Sequence, residues 1–133
     1  MPRYMLDTNM CIYLMKHQPE TVAASFAECY VGDVVMSAIT FAELEFGVTV
    51  SANRKRERTN LSALILDIPV MPFDQAAATA YGPVRNATRE RKADHLDKLI
   101  AAHAVSLGIV LVTNNVRDFA SYPNLKIENW VEM

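Results

Sequence analysis

No stretch of this 133-residue chain stays apolar for the roughly 20 residues that a bilayer-spanning helix requires. A membrane protein is therefore not expected. The N-terminus lacks a basic region followed by a long apolar core, so no secretory signal peptide is expected either, and the expected location is cytoplasmic. Cysteine is scarce. The two present, Cys11 and Cys29, have no metal-ligand spacing, which leaves out a thiolate metal site and a disulfide scaffold; both are expected as reduced thiols among apolar neighbours. Charge of one sign is also lacking. Thirteen Lys and Arg against fifteen Asp and Glu leave a formal charge of −2, so overall charge does not advertise a nucleic-acid binder, and any polyanion must be met by a local basic patch or a metal. There is no internal repeat, low-complexity tract or linker, and the length suits a single domain over residues 1–133 with one core.

What is present alternates between strand-like and helix-like segments. Tyr4 to Leu6 is strand-like and ends abruptly on Asp7. Met10 to Lys16 reads as helix, with Asn9 as its candidate N-cap. Glu20 to Tyr30 has helical spacing, and Val34-Val35-Met36 is a short buried strand. A helix follows from near Ser37 or Thr40, with Thr40 and Glu43 at capping-box spacing. Asn53 to Asp67 reads as an amphipathic helix. The two prolines in Ile68 to Phe73 argue for an edge or irregular strand. Asp74 caps an alanine-rich helix that Gly82-Pro83 should kink or interrupt. A helix from Asp94 or His95 to Leu107 ends on Gly108. Ile109 to Val112 is the clearest strand, of the central parallel kind, and Lys126 to Val131 reads as a last one. The alternation implies an α/β fold with a parallel sheet covered on both faces.

Four acids lie where a strand tip or helix start meets apolar sequence: Asp7, Glu43, Asp97 and Asp118. Ligands of α/β folds gather at the C-terminal strand tips. An Asp between Leu96 and Leu99 is costly to bury unless it is paired or ligates a cation. Carboxylates gathered at one edge repel unless a cation neutralises them, and a hard divalent ion with oxygen ligands and retained waters suits such a cluster. Each acid has a plainer reading. Asp7 equally caps the next helix, Glu43 equally closes a capping box with Thr40, Asp97 could pair with Lys98 or Arg91, and Asp118 with Arg117.

Four stretches occur in a familiar order: Met5-Leu6-Asp7-Thr8-Asn9-Met10-Cys11-Ile12, then Ser37-Ala38-Ile39-Thr40-Phe41-Ala42-Glu43-Leu44-Glu45-Phe46-Gly47, then Asp97-Lys98-Leu99-Ile100-Ala101-Ala102-His103-Ala104, then Leu111-Val112-Thr113-Asn114-Asn115-Val116-Arg117-Asp118-Phe119. With them the chain resembles the PIN-domain endoribonucleases, and in particular the VapC-type toxins of bacterial toxin–antitoxin pairs. The resemblance spans nearly the whole chain. It implies a three-layer α/β/α PIN-like domain with a mainly parallel central sheet, and Mg²⁺ or Mn²⁺ held by acids at the sheet edge. It also implies an RNA substrate, with transfer RNA as the family-based expectation, a homodimer, and inhibition by a cognate VapB-like antitoxin, a small DNA-binding protein. Asp7 matches the first family acid, Glu43 the second and Asp97 the third. The fourth stays open between the position of Asn115, an amide here, and nearby Asp118. Thr8, Asn9, Thr113 and Asn115 match site-lining positions. One departure stands out: relatives commonly carry a Gly/Pro loop before the third acid, where this chain has Arg91-Lys92-Ala93-Asp94-His95-Leu96, and Asp94 adds a carboxylate one turn from Asp97.

Two basic clusters are present. Arg54, Lys55, Arg56 and Arg58 read as a solvated helix face, whereas Arg85, Arg89, Arg91 and Lys92 lead into the site and are the candidate RNA contacts. His103, among alanines, reads as a packed or interface histidine. Phe41, Phe46 and Val48 fit either a partner surface or the core. Two rival functions remain: a phosphotransfer protein with an acidic Mg²⁺ pocket, and a catalytically silent PIN-fold binding module.

Overall fold

The computed structural model describes residues 2–132. Five short strands form one all-parallel sheet: β1 (Tyr4–Leu6), β2 (Val34–Ser37), β3 (Val70–Met71), β4 (Val110–Val112) and β5 (Lys126–Glu128), in the order β3-β2-β1-β4-β5. Seven helices lie among the described residues: α1 (Thr8–Lys16), α2 (Glu20–Ala27), α3 (Ala38–Val50), α4 (Arg54–Asp67), α5 (Gln75–Ala87), α6 (His95–Leu107) and α7 (Val116–Phe119). The fold is α/β, and the sheet is wholly parallel where the sequence implied only a mainly parallel one. β3, flanked by Pro69 and Pro72, lies at the sheet edge, where a missing amide removes no ladder bond. The last strand is shorter than Lys126 to Val131 suggests.

The two-residue period of the strands divides the core. Met5, Val35 and Leu111 point to one face, where they meet Ile100, Ala101 and Phe119. Leu6, Met36 and Val112 point to the other, against Met10, Leu61 and Trp130. Burial on both faces explains why β2 and β4 read as continuous apolar runs. The register then sets the site. Leu6 is level with Met36 on one side and Val112 on the other. The next residue of each strand, Asp7, Ser37 and Thr113, therefore stands at the same C-terminal edge.

Several local expectations are corrected. The N-cap of α1 is Asp7, not Asn9: Asp7 is extended, and its Oδ1 accepts from the Met10 amide at 2.9 Å. Asn9 already lies in the first turn. Thr40 and Glu43 form no capping box, because the chain passes from β2 into α3 without a loop and Ser37 is the cap, accepting from the Ile39 amide at 3.1 Å. Gly82-Pro83 does not interrupt α5, which runs from Gln75 to Ala87 with Pro83 inside it. Packing along α6 holds the helix through the one missing amide. Asp74 caps α5 as expected, accepting from the Ala77 amide at 3.0 Å. Gly108 ends α6 at φ +66°, a conformation that favours glycine. Cys11 and Cys29 are both free thiols. No helix is long and apolar enough to cross a membrane among the described residues.

Leu111 is fully buried in the middle of the sheet. Leu111→Ala is expected to destabilise the fold by about 3 kcal/mol through lost burial and the cavity left behind, measured as a lower urea midpoint at unchanged slope.

Candidate active site

Asp7 reaches the edge because β1 stops there, and it is only 4 % exposed. Its carboxylate accepts from the Met10 and Asn9 amides and from the Thr113 hydroxyl at the tip of β4. Burial pushes its pKa above the usual carboxylate value against these hydrogen bonds, and the charge of Glu43 pushes the same way. Asp7 is thus both the helix cap and a strand-tip acid; the two readings of the sequence are not exclusive.

Glu43 lies on α3, and its Oε1 accepts from the Thr8 hydroxyl at 2.6 Å. Thr8 also stands 3.4 Å from the Thr40 hydroxyl. One threonine on α1 therefore orients a carboxylate on α3, 35 residues away in sequence. Thr40, which sequence reasoning treated only as a cap, is buried beneath this contact.

Asp97, in the first turn of α6, is half-buried and has no hydrogen bond or ion pair among the described residues. Burial first, then the charges of Asp7, Glu43, Asp94 and Asp118, push its carboxyl up to about 6. Neither Lys98 nor Arg91 pairs with it; both turn to Asp94 instead, Arg91 Nη2 at 3.2 Å and Lys98 Nζ at 3.2 Å. Asp118 does not pair with Arg117. Its Oδ2 accepts from Asn115 Nδ2 at 3.1 Å, and Arg91 Nη1 stands 3.9 Å from Oδ1. The rivals for the fourth position are thus joined, the amide steadying the acid.

The carboxylates sense one another without closing on a single point. Among the described residues, no three Asp, Glu, His or Cys side chains stand near enough to enclose a metal ion as they are. Mutual repulsion keeps such acids apart when no cation is between them. The donor set is all oxygen, Asp97 is free of any cation, and a hard divalent ion that keeps several waters needs only one or two direct carboxylates. These residues fit such an ion.

Of the basic candidates, Arg85, Arg89 and Lys92 are exposed. Arg85 lies over the Tyr81 ring at 5.9 Å. Arg91 is engaged inside the protein, with Asp94, with the Asp118 carbonyl and over the Tyr122 ring, and is not a free docking cation. In the other cluster, Arg58 forms a two-pronged pair with Glu45 at 2.6 and 2.8 Å. His103 is buried, its Nδ1 2.7 Å from Ser37 Oγ and its ring edge-on to Phe73, which makes it a packed histidine tying α6 to the cap of α3. Phe46 is exposed, Phe41 half-buried and Val48 in the core. The sequence offers Lys98 only as a partner of Asp97 and does not single out Tyr122. The available signal was the four-residue helical spacing of Asp94 and Lys98.

The PIN domain family matches residues 4–125. The chain belongs to this family. It is 36% identical over 132 residues to the tRNA(fMet)-specific endonuclease VapC of Shigella flexneri, covering 98% of this chain and 99% of that one. It is 31% identical over 130 residues to ribonuclease VapC2 of Rickettsia felis, covering 96% and 97%. Among solved structures, it superposes on a chain of DNA-bound VapBC from Salmonella typhimurium with TM-score 0.89 and 35% identity, over 98% of this chain and 99% of that one. For VapBC-1 from nontypeable Haemophilus influenzae the TM-score is 0.86 at 34% identity, over 97% and 98%. The expected PIN architecture is therefore present, together with the ordered stretches that suggested it.

Because the Asp97 carboxyl is held near 6, it keeps a proton that an unfolded-chain Asp has already released. The stability tied to that proton is fully present below the ordinary Asp range and is lost as pH rises through about 6. Asp97→Asn is accordingly expected to raise the Tm of metal-free protein by a few degrees at about pH 7.5, with the gap narrowing at about pH 5. Scanning calorimetry in chelator-treated buffer measures both.

Proposed function

We propose that this PIN domain, taken as a single domain over residues 1–133, is a divalent-metal-dependent endoribonuclease toxin restrained by a cognate antitoxin. The observation that carries the reading is the cation-free Asp97, coupled through its charge to Asp7 and Glu43. Two near relatives are named for ribonuclease or tRNA endonuclease activity, and the structural relatives are VapBC assemblies. A structured RNA such as transfer RNA is the proposed substrate, a VapB-like protein the proposed partner, and a homodimer the proposed unit. Mg²⁺ or Mn²⁺ is the proposed cofactor.

Asp7, Glu43 and Asp97 hold the ion, directly or through water, and Asp118 stands as the fourth acid. Bound there, the ion supplies a lowered pKa for a coordinated water and neutralises charge on the scissile phosphate. The chain's own part is to aim these ligands. Thr8 turns Glu43, Thr113 and the start of α1 turn Asp7, and Asn115 turns Asp118. Water adds to phosphorus in line as the bond to the 3′ oxygen breaks, leaving a 5′-phosphate and a 3′-hydroxyl. No 2′-hydroxyl attack is required, and the one buried histidine is committed to Ser37. Thr8, Asn9, Thr113 and Asn115 line the reaction site, and Arg85, Arg89 and Lys92 offer exposed cations for the RNA backbone.

Purified chain free of antitoxin, incubated with total RNA and Mg²⁺, is expected to yield discrete fragments. EDTA should abolish them, and Asp7→Asn should slow their appearance at least about a hundredfold. Intact RNA throughout, with no divalent-ion binding by calorimetry, would favour the silent binding module instead.

A further inference from the structure

Lys98 directly follows Asp97 and is 1 % exposed. Its ammonium donates to the carbonyls of Thr88 at 2.9 Å and Arg91 at 2.6 Å, and stands 3.2 Å from Asp94 Oδ1. All three partners precede α6. The side chain thus runs back along its own helix, as helical side chains do, and fastens the first turn to the incoming chain. Asp94 also accepts from the Tyr122 hydroxyl at 2.6 Å and pairs with Arg91 at 3.2 Å. The Arg91 guanidinium lies 5.0 Å from the centre of the Tyr122 ring and donates to the Asp118 carbonyl at 3.2 and 3.3 Å. The four side chains form a connected set. One end is attached to the turn that carries Asp97, the other to α7, which carries Asp118.

We propose that Lys98, Asp94, Arg91 and Tyr122 are positioning residues that hold Asp97 and Asp118 at the acid cluster and keep Asp97 free of any internal cation. The inference rests on the reading of that cluster as a metal site. Three observations carry it. First, residues 88–94, the link from α5 to α6, contain no Pro to fix their course, and the Lys98 ammonium holds two of their carbonyls, those of Thr88 and Arg91. Second, Lys98 and Arg91, the two cations the sequence offers as partners for Asp97, are both drawn onto Asp94, the carboxylate one turn earlier, which leaves Asp97 to accept an outside ion. Third, a buried ammonium is a costly way to fill space, since a methionine of similar length would fill it without desolvation. Arg91 Nε and Asp94 Oδ1 even remain without a hydrogen bond, the Lys98 contact to Oδ1 being an ion pair without hydrogen-bond geometry. That suits an arrangement which places charge more than one which maximises stability. Asp94 then has a role without being a metal ligand.

The test uses the full chain and Mn²⁺ alone, titrated by calorimetry, with Lys98→Met and the gentler Tyr122→Phe. Lys98→Met is expected to weaken the Mn²⁺ Kd by about 10- to 100-fold at unchanged stoichiometry. RNA cleavage at saturating Mn²⁺ should stay within about threefold of wild type, because the loss is one of ion binding and not of the chemical step. Tyr122→Phe should shift the Kd in the same direction by less, and Lys126→Met, an exposed lysine removed as a charge control, should leave it unchanged. Amides of residues 88–98 should exchange faster in both brace variants. A merely structural role lowers Tm and leaves the Kd of the folded protein alone. Wild-type Kd in folded Lys98→Met, or in Tyr122→Phe and Asp94→Asn should Lys98→Met not fold, overturns this inference while leaving the nuclease reading intact. Wild-type protein that binds no Mn²⁺ overturns both.

Discussion

Repulsion among carboxylates at one sheet edge is the constraint around which the rest of this structure is arranged. Level strand tips bring Asp7, Ser37 and Thr113 to that edge, and α3 and α6 add Glu43 and Asp97. Left to themselves these acids would protonate, separate or draw in the nearest lysine. The neighbouring residues prevent the last of these. Thr8 and Thr113 steady the acids with neutral hydroxyls, and the two nearby cations are diverted onto Asp94. Asp97 is left half-buried, its carboxyl raised by burial and by four other acids. That is an unfavourable state for the empty protein and a receptive one for a divalent cation. The same repulsion that limits stability above mildly acid pH is what an ion would relieve.

The short elements around the site serve this arrangement. The strands are only two to four residues long, and α1, α3, α5 and α7 each begin shortly after a strand's C-terminal tip. Caps are correspondingly important. Asp7 directly follows β1 and caps α1, and Ser37 ends β2 and caps α3, and with no loop between strand and helix Asp7 and Glu43 have little freedom to drift. Ser37 also meets His103 in the core, which links the helix carrying Glu43 to the helix carrying Asp97.

Much of the site was legible in sequence because its signals are local. A strand ending on an acid, an acid isolated among leucines, and an apolar run ending in Thr-Asn-Asn each point to a strand tip or helix start without any knowledge of contacts. The misreadings were local as well. Asn9 and Thr40 have cap-like surroundings, but the true caps stand earlier because the strands run directly into the helices. Pro83 carries a strong breaking signal that packing against α6 overrides. Arg91 reads as a docking cation because its sequence neighbours are basic; its spatial neighbours are Asp94, one turn away, and Asp118 and Tyr122 from the α7 region.

The sequence by itself determined the order of elements, the edge position of β3, the burial of both sheet faces, and the identity of the acids, since each depends on period, punctuation and residue type within a short window. Only the tertiary structure decided which partners those acids have. Glu43 answers to Thr8 and not to Thr40, Asp118 to Asn115 and not to Arg117, and Lys98 to Asp94 and not to Asp97. The first depends on helix packing across 35 residues of chain; the other two lie only three and four residues apart and depend on a competition among neighbouring groups that no local pattern records.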